Sequence, residues 1–328
     1  MTTTATKSTA EPPPEPKREP DPRASRAHRL PRAHRLRRTG RTGRAGRAGR
    51  VRRTRRRRLG PVGRIVGLTV VALLTLGPVL WTVSTSLRAP AESFDLPPRP
   101  VPTDPTGAAY GQVFEQLDVW LLAFNSTLVT ALVAGGQMVT AALAGYAFAR
   151  IDFRFRRPLF GLVLATMMVP VQVTIVPVFL LLKEMALTDT LLGLIVPAWP
   201  TAFGTFLMRQ YFLGMPRDLG EAAMIDGAGP WRIFRSIYAP LATPGLAIIG
   251  VLAFNYHWNE FFRPLILETS TENFTLPLGL VSLQGNLGTG SVSVVLAGVV
   301  LSMIPAVLVF VVGQRPLREG ITSAGVNR

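Results

Sequence analysis

Glu221 and Asp226 are two carboxylates in a polar stretch, 213–244, that lies between two long apolar runs. A pair of carboxylates is the minimum equipment for general acid–base catalysis, yet no His lies in this stretch to share the proton work. The only lysines are Lys7, Lys17 and Lys183, and none stands in the Gly-x4-Gly-Lys-Ser/Thr setting that holds nucleotide phosphates. The chain therefore does not hydrolyse ATP by that route, and no cofactor is expected on it. With no Cys there is no thiolate metal site, disulfide or Cys nucleophile. His257 has no second His within a turn, which argues against a metal.

A second set of polar residues interrupts the apolar runs: Asn125, Gln172, Thr174, Asn255, Asn259 and Glu260. Polar groups at membrane depth are expensive, so they mark a pathway or a helix contact. Amides can bond hydroxyls as donor and acceptor, and Tyr256 and Trp258 add aromatic faces, which together suit a sugar. The same residues also suit hydrogen bonds between helices or to a partner subunit. Asn255 and Asn259 share a helix face, and Glu260 can pair with Arg263 three residues on.

The stretch itself reads as two helices and a bend. Asp218 and Glu221 have capping-box spacing, so a helix is expected to start near Leu219. Ala222, Ala223, Met224 and Ile225 continue it, and Gly227 bends the chain. Pro230 suits the first turn of a second helix, and Pro240 is expected to stop it. The small residues of the first helix form a surface that a groove on another protein can grip.

Six apolar runs are long enough to cross a membrane: roughly 63–87, 121–149, 158–182, 191–212, 245–266 and 291–313. Arginine sets their orientation. Arg150, Arg154, Arg156 and Arg157 lie between runs two and three, Arg217, Arg232 and Arg235 between four and five, and Arg315 and Arg318 after six. The alternate loops, 88–120 and 267–290, are acidic on balance, so both termini are expected inside. Pro170 and Pro177 kink run three, and Pro197 and Pro200 run four. Gly135, Gly136, Ala141, Ala142, Ala144 and Gly145 in run two offer close helix packing or a moving pathway.

The formal charge of +17 belongs to one end: residues 1–64 hold 21 Lys/Arg and 4 Asp/Glu. Residues 1–60, rich in Pro, Gly and Arg and poor in apolar side chains, are expected to be a disordered cytoplasmic tail. Its run Arg52–Arg58 reads as a polybasic contact with membrane lipid rather than with nucleic acid.

Glu221-Ala222-Ala223, Asp226-Gly227-Ala228, Ile237 and Pro240 together resemble the EAA loop of ABC-importer permeases. Asn125-Ser126, the 145–150 GYAFAR exit, Trp258-Asn259-Glu260-Phe261, the 276–280 LPLGL run and Gln314-Arg315 with Gly320 are similar to the carbohydrate, maltose-type members. Two departures stand out, the long Arg-rich tail and Pro316 where an aromatic is usual. The resemblance implies an all-α integral membrane protein, with a six-helix permease domain over 61–328 and a cytoplasmic coupling loop. Coupling to the ATPase then falls to Glu221, Ala222, Ala223, Asp226, Gly227, Ala228 and Pro240. It also implies a second homologous permease, two ATPase subunits carrying ATP and magnesium, an extracytoplasmic solute-binding protein and a bacterial inner-membrane location. The cargo is expected to be a sugar, with glycerol phosphate or another polyol as the alternative. An ion-coupled secondary carrier would want carboxylates at mid-membrane and inverted repeats; Glu260 is off-centre and the loop occurs once.

Overall fold

The computed structural model describes residues 61–92, 101–285 and 290–325, with side chains from 62 to 314. The expected tail, residues 1–60, lies outside them. A chain whose backbone has no water to bond must satisfy N–H and C=O internally, and the described chain is helical accordingly. Its helices are α1 (Pro61–Ser86), α2 (Ala108–Gln116), α3 (Val119–Arg150), α4 (Arg156–Thr166), α5 (Val171–Glu184), α6 (Leu191–Ile195) and α7 (Ala202–Leu213). There follow α8 (Asp218–Ile225), α9 (Pro230–Ile233), α10 (Ala239–Leu241), α11 (Thr243–Trp258), α12 (Phe262–Leu267), α13 (Leu276–Val281) and α14 (Val292–Gly325).

Four spans are long and apolar enough to cross a membrane as they stand: Val62–Ser86, Val119–Arg150, Leu191–Leu213 and Val292–Gln314. Two bent helix pairs bring the count to six only if each is taken as one span, and the first half of the second pair belongs to the 213–244 stretch. Arg156–Thr166 and Val171–Glu184 meet at 101°, and Pro230–Leu241 and Thr243–Trp258 at 71°. The first break falls where Pro170 caps α5, so a residue expected to kink a helix instead separates two. The fifth run was expected over 245–266, but α11 ends at Trp258. Asn259 caps it, and α12 resumes only at Phe262.

The small residues of α3 form a packing seam. A Cβ on Gly136 would fall 2.0 Å from the Trp199 ring, and one on Gly145 2.5 Å from Met208 Cβ. Neither position has room for a side chain. Trp199 Nε1 donates to Leu132 O at 3.1 Å, and Thr140 Oγ1 donates to Trp199 O at 2.7 Å, so hydrogen bonds hold the seam as well.

At the other end of α3, Asn125 Nδ2 donates to the carbonyls of Glu272 (2.7 Å) and Phe274 (3.0 Å), and Leu276 N donates to Ser126 Oγ (2.7 Å). These bonds pin the 267–283 segment to the helix. Asp189 joins in by accepting from Thr269 N, Ser270 N, Ser270 Oγ and Asn273 Nδ2. Those donors hold its carboxyl well below the usual range, Ser270 contributing most. Its neighbour Glu268 is 4% exposed and neither of its oxygens has a hydrogen-bond partner among the described residues. Burial, then the negative Asp189, push its carboxyl from 4.5 up to about 7.

A raised acid favours the protonated folded state, so its contribution is complete below 4.5 and is lost as pH climbs to about 7. Thermal unfolding in detergent should therefore show stability falling by about 3 kcal/mol across that window. Glu268→Gln should flatten the profile; an unchanged slope would contradict the assignment.

Candidate functional site

The 213–244 stretch folds as helix, bend and helix. Asp218 is the first residue of α8 rather than its cap: Arg217 occupies the cap position, and no side chain bonds the free amides there. The capping box expected from Asp218 and Glu221 therefore does not form. Both acids still sit in the first turn, where the positive helix end favours them.

The other end closes as the glycine predicts. Ala228 N donates to Ala223 O (2.9 Å) and Gly227 N to Met224 O (3.0 Å), with Gly227 at φ +79°. That is a Schellman motif, and its left-handed residue is glycine because a Cβ is penalised there. Pro230 then opens α9. A π-helical turn, Phe234–Tyr238, leads into α10, so helix runs on one residue past Pro240 before the chain bends at Ala242.

The loop is clamped to the spans by aromatic packing. Tyr146 of α3 lies with its ring centroid 5.7 Å from Phe212 of α7, 5.0 Å from Phe234 and 5.5 Å from Tyr238. Arg150 lies over the Tyr238 ring at 4.8 Å and donates to Phe212 O and Met215 O, each at 2.5 Å. Gly220 lies so close that a Cβ would be 2.7 Å from the Tyr238 hydroxyl. The loop is thus packed directly on α3 and α7.

The expected grip surface is partly reversed. Ala223 and Ala228 pack inward on this cluster. The outer side carries Glu221, Ala222, Asp226 and Gly227, and with them the apolar Leu219, Met224, Ile225 and Trp231. Ile225 is 87% exposed. Four large apolar side chains left exposed on one short loop suit contact with another protein.

A cavity of about 840 Å³ lies among α3, α5, the 196–204 segment and α11. Of the six residues expected along a pathway, Thr174, Asn255 and Glu260 line it; Asn125, Gln172 and Asn259 do not. Asn125 is spent on the 267–283 segment, and Asn259 Nδ2 donates to Asn255 O at 2.8 Å. Gln137, Tyr256, His257 and Arg263 also line the cavity. Glu260 accepts from both Arg263 Nε and Nη2, the latter at 2.6 Å, and meets His257 Nδ1 at 2.7 Å. His257 Nε2 meets Gln137 Nε2 at 3.1 Å, and Arg263 Nη1 donates to Leu194 O at 3.2 Å. This buried polar knot ties α3, α6, α11 and α12 together across the break at Asn259. Among the described residues, no group of three or more His, Cys, Asp or Glu could hold a metal.

Residues 137–318 match the family described as the binding-protein-dependent transport system inner membrane component. The chain belongs to that family. This permease is 35% identical over 208 residues to the arabinooligosaccharides transport system permease protein AraQ of Halalkalibacterium halodurans, covering 63% of the chain and 74% of the relative. It is 31% identical over 272 residues to the sn-glycerol-3-phosphate transport system permease protein UgpE of Agrobacterium fabrum, covering 80% of the chain and 96% of the relative. A crystal structure of a bacterial ABC transporter involved in the import of the acidic polysaccharide alginate contains a chain that superposes with a TM-score of 0.70. That chain shares 27% identity, and the match covers 77% of the permease and 95% of its counterpart.

The permease is accordingly a non-catalytic membrane subunit of an ATP-driven, binding-protein-dependent importer, and hydrolysis sits on a separate subunit. Its family works with a permease pair, an ATPase and a solute-binding protein. Two parts of the site escaped sequence reading. The His257–Gln137 contact joins residues 120 apart, which no local spacing reveals. The outward Met224 and Ile225 were legible as apolar, but which side of α8 faces Tyr238 was not.

Proposed function

We propose that the permease imports a sugar, driven by two ATPase subunits that carry ATP and magnesium and grip the 218–241 segment. The observation that carries the coupling role is the two-sided loop: its inner side is clamped on Tyr146, Phe212 and Arg150, and its outer side leaves Met224, Ile225 and Trp231 exposed. Glu221, Ala222, Ala223, Asp226, Gly227, Ala228 and Pro240 shape that handle. ATP binding draws the handles of this chain and of a second homologous permease together. The spans then rock from inward- to outward-open, an equilibrium biased from both faces. An extracytoplasmic binding protein delivers the cargo. The permease sits in a bacterial inner membrane with both termini cytoplasmic, the orientation that the arginine-rich loops favour.

The cavity favours a neutral polyhydroxyl cargo. Gln137, Thr174, Asn255 and Tyr256 offer hydroxyl-directed contacts, while the Arg263 guanidinium that lines it is neutralised by Glu260. Glycerol phosphate is the alternative, favoured by the likeness to UgpE. In liposomes holding the assembled importer, a loaded sugar-binding protein should stimulate ATPase activity and uptake. Stimulation by glycerol 3-phosphate and by no sugar would assign the alternative cargo.

A further inference from the structure

A second cavity, of about 790 Å³, opens on the same side of the bundle as the 213–244 loop. Its walls carry four guanidiniums, Arg156, Arg157, Arg209 and Arg217, against the single carboxylate of Asp152. Two of the four are committed. Arg156 pairs with Asp152 at 2.7 Å and donates to Phe148 O at 2.9 Å. Arg209 donates to Phe148 O at 3.2 Å and lies over the Phe160 ring at 4.2 Å. Arg157 and Arg217 have no hydrogen-bonding or ion-pairing partner for their side chains among the described residues. Four like charges gathered in one concavity repel one another, and an anion relieves that repulsion.

The rest of the wall is apolar. Phe153, Phe155 and Phe160 line it, and Leu159 and Leu162 stand exposed along α4, which starts at the cavity and runs into the apolar third span. Guanidiniums at the mouth of an apolar wall match a phosphodiester with acyl chains attached better than a free ion.

We propose that this cavity binds a phosphate-bearing anion presented by the headgroup of an anionic phospholipid. Arg217 caps α8, so the bound headgroup touches both the start of the third span and the root of the loop. Lipid composition would then act directly on the element through which the importer is driven. Occupancy itself does not depend on that coupling role, and the test below reads binding alone.

The full-length chain, purified in detergent, is examined by native mass spectrometry with phosphatidylglycerol, with phosphatidylcholine and with inorganic phosphate. One phosphatidylglycerol should be retained in preference to phosphatidylcholine. Arg157→Gln with Arg217→Gln should weaken that retention by about tenfold or more, the loss of two charge-assisted contacts. Neither side chain has a partner to lose, so the variant should fold. Arg154→Gln with Arg232→Gln, which removes equal charge from the same side outside the cavity, should retain the lipid as wild type does. Equal retention of phosphatidylcholine, or undiminished retention by the Arg157/Arg217 variant, would overturn the proposal. Displacement of the lipid by millimolar phosphate would overturn the lipid source and assign the cavity to a soluble phosphate.

Discussion

Gly227→Val should abolish uptake while the permease remains inserted and at normal abundance. Gly227 sits at φ +79° with nothing within 4 Å of the point where a Cβ would stand, so the substitution meets no clash and acts through the backbone alone. A β-branched residue in the left-handed region costs about 1–2 kcal/mol, and an exposed loop has freedom to escape that cost. Escape would open the Schellman bonds from Gly227 N and Ala228 N and turn α8 away from α9. The outward Met224 and Ile225 would then no longer stand at a fixed angle to Tyr238 and Arg150. Asn tolerates the same region, so Gly227→Asn should restore most of the transport. Radiolabelled uptake with parallel immunoblots checks both variants; wild-type transport by Gly227→Val at normal expression would refute the role of the bend.

Glu260→Ala should produce the largest loss of stability. It would strand the Arg263 guanidinium, which is buried, bonded through Nε and Nη2 to that carboxylate, and left otherwise with Leu194 O and His257. Breaking a buried ion pair by removing one partner costs about 3–5 kcal/mol, because the survivor is an uncompensated charge. Replacing both residues with apolar ones of similar volume is often neutral, so Glu260→Leu with Arg263→Met should recover most of the loss. Thermal unfolding in detergent distinguishes these outcomes. Equal melting of Glu260→Ala and wild type would show that the knot does not hold the α11–α12 break.

What the sequence made legible was local. The glycine bend at 227 and the pairing of Glu260 with Arg263 follow from spacing of a few residues and are present, as are four of the six apolar runs as unbroken spans. What stayed hidden was set by tertiary contact. Pro170 announced a disturbance in the third span, but a proline does not state an angle, and 101° depends on what the two halves pack against. The fifth span reads as apolar through Ile266, yet it ends at Trp258, where the carboxylate of Glu260 turns back to His257 and forward to Arg263. Asn125 read as a pathway residue because an amide in an apolar run is rare; its partners are carbonyls about 150 residues away. Arg150 read as an orienting charge, and its further task of tying α3 to α7 and Tyr238 needed the fold to bring them together.

The most direct test uses the absence of cysteine from this chain, which makes an introduced thiol the only one on the permease. Ile225→Cys in the assembled importer, alkylated by the maleimide end of a photoactivatable cross-linker, should on illumination capture the ATPase subunit, and the yield should change when ATP binds. Trp120→Cys, at the opposite end of α3, should give no such product. Failure of Ile225→Cys to capture the ATPase in an active complex would contradict the claim that this loop is the handle.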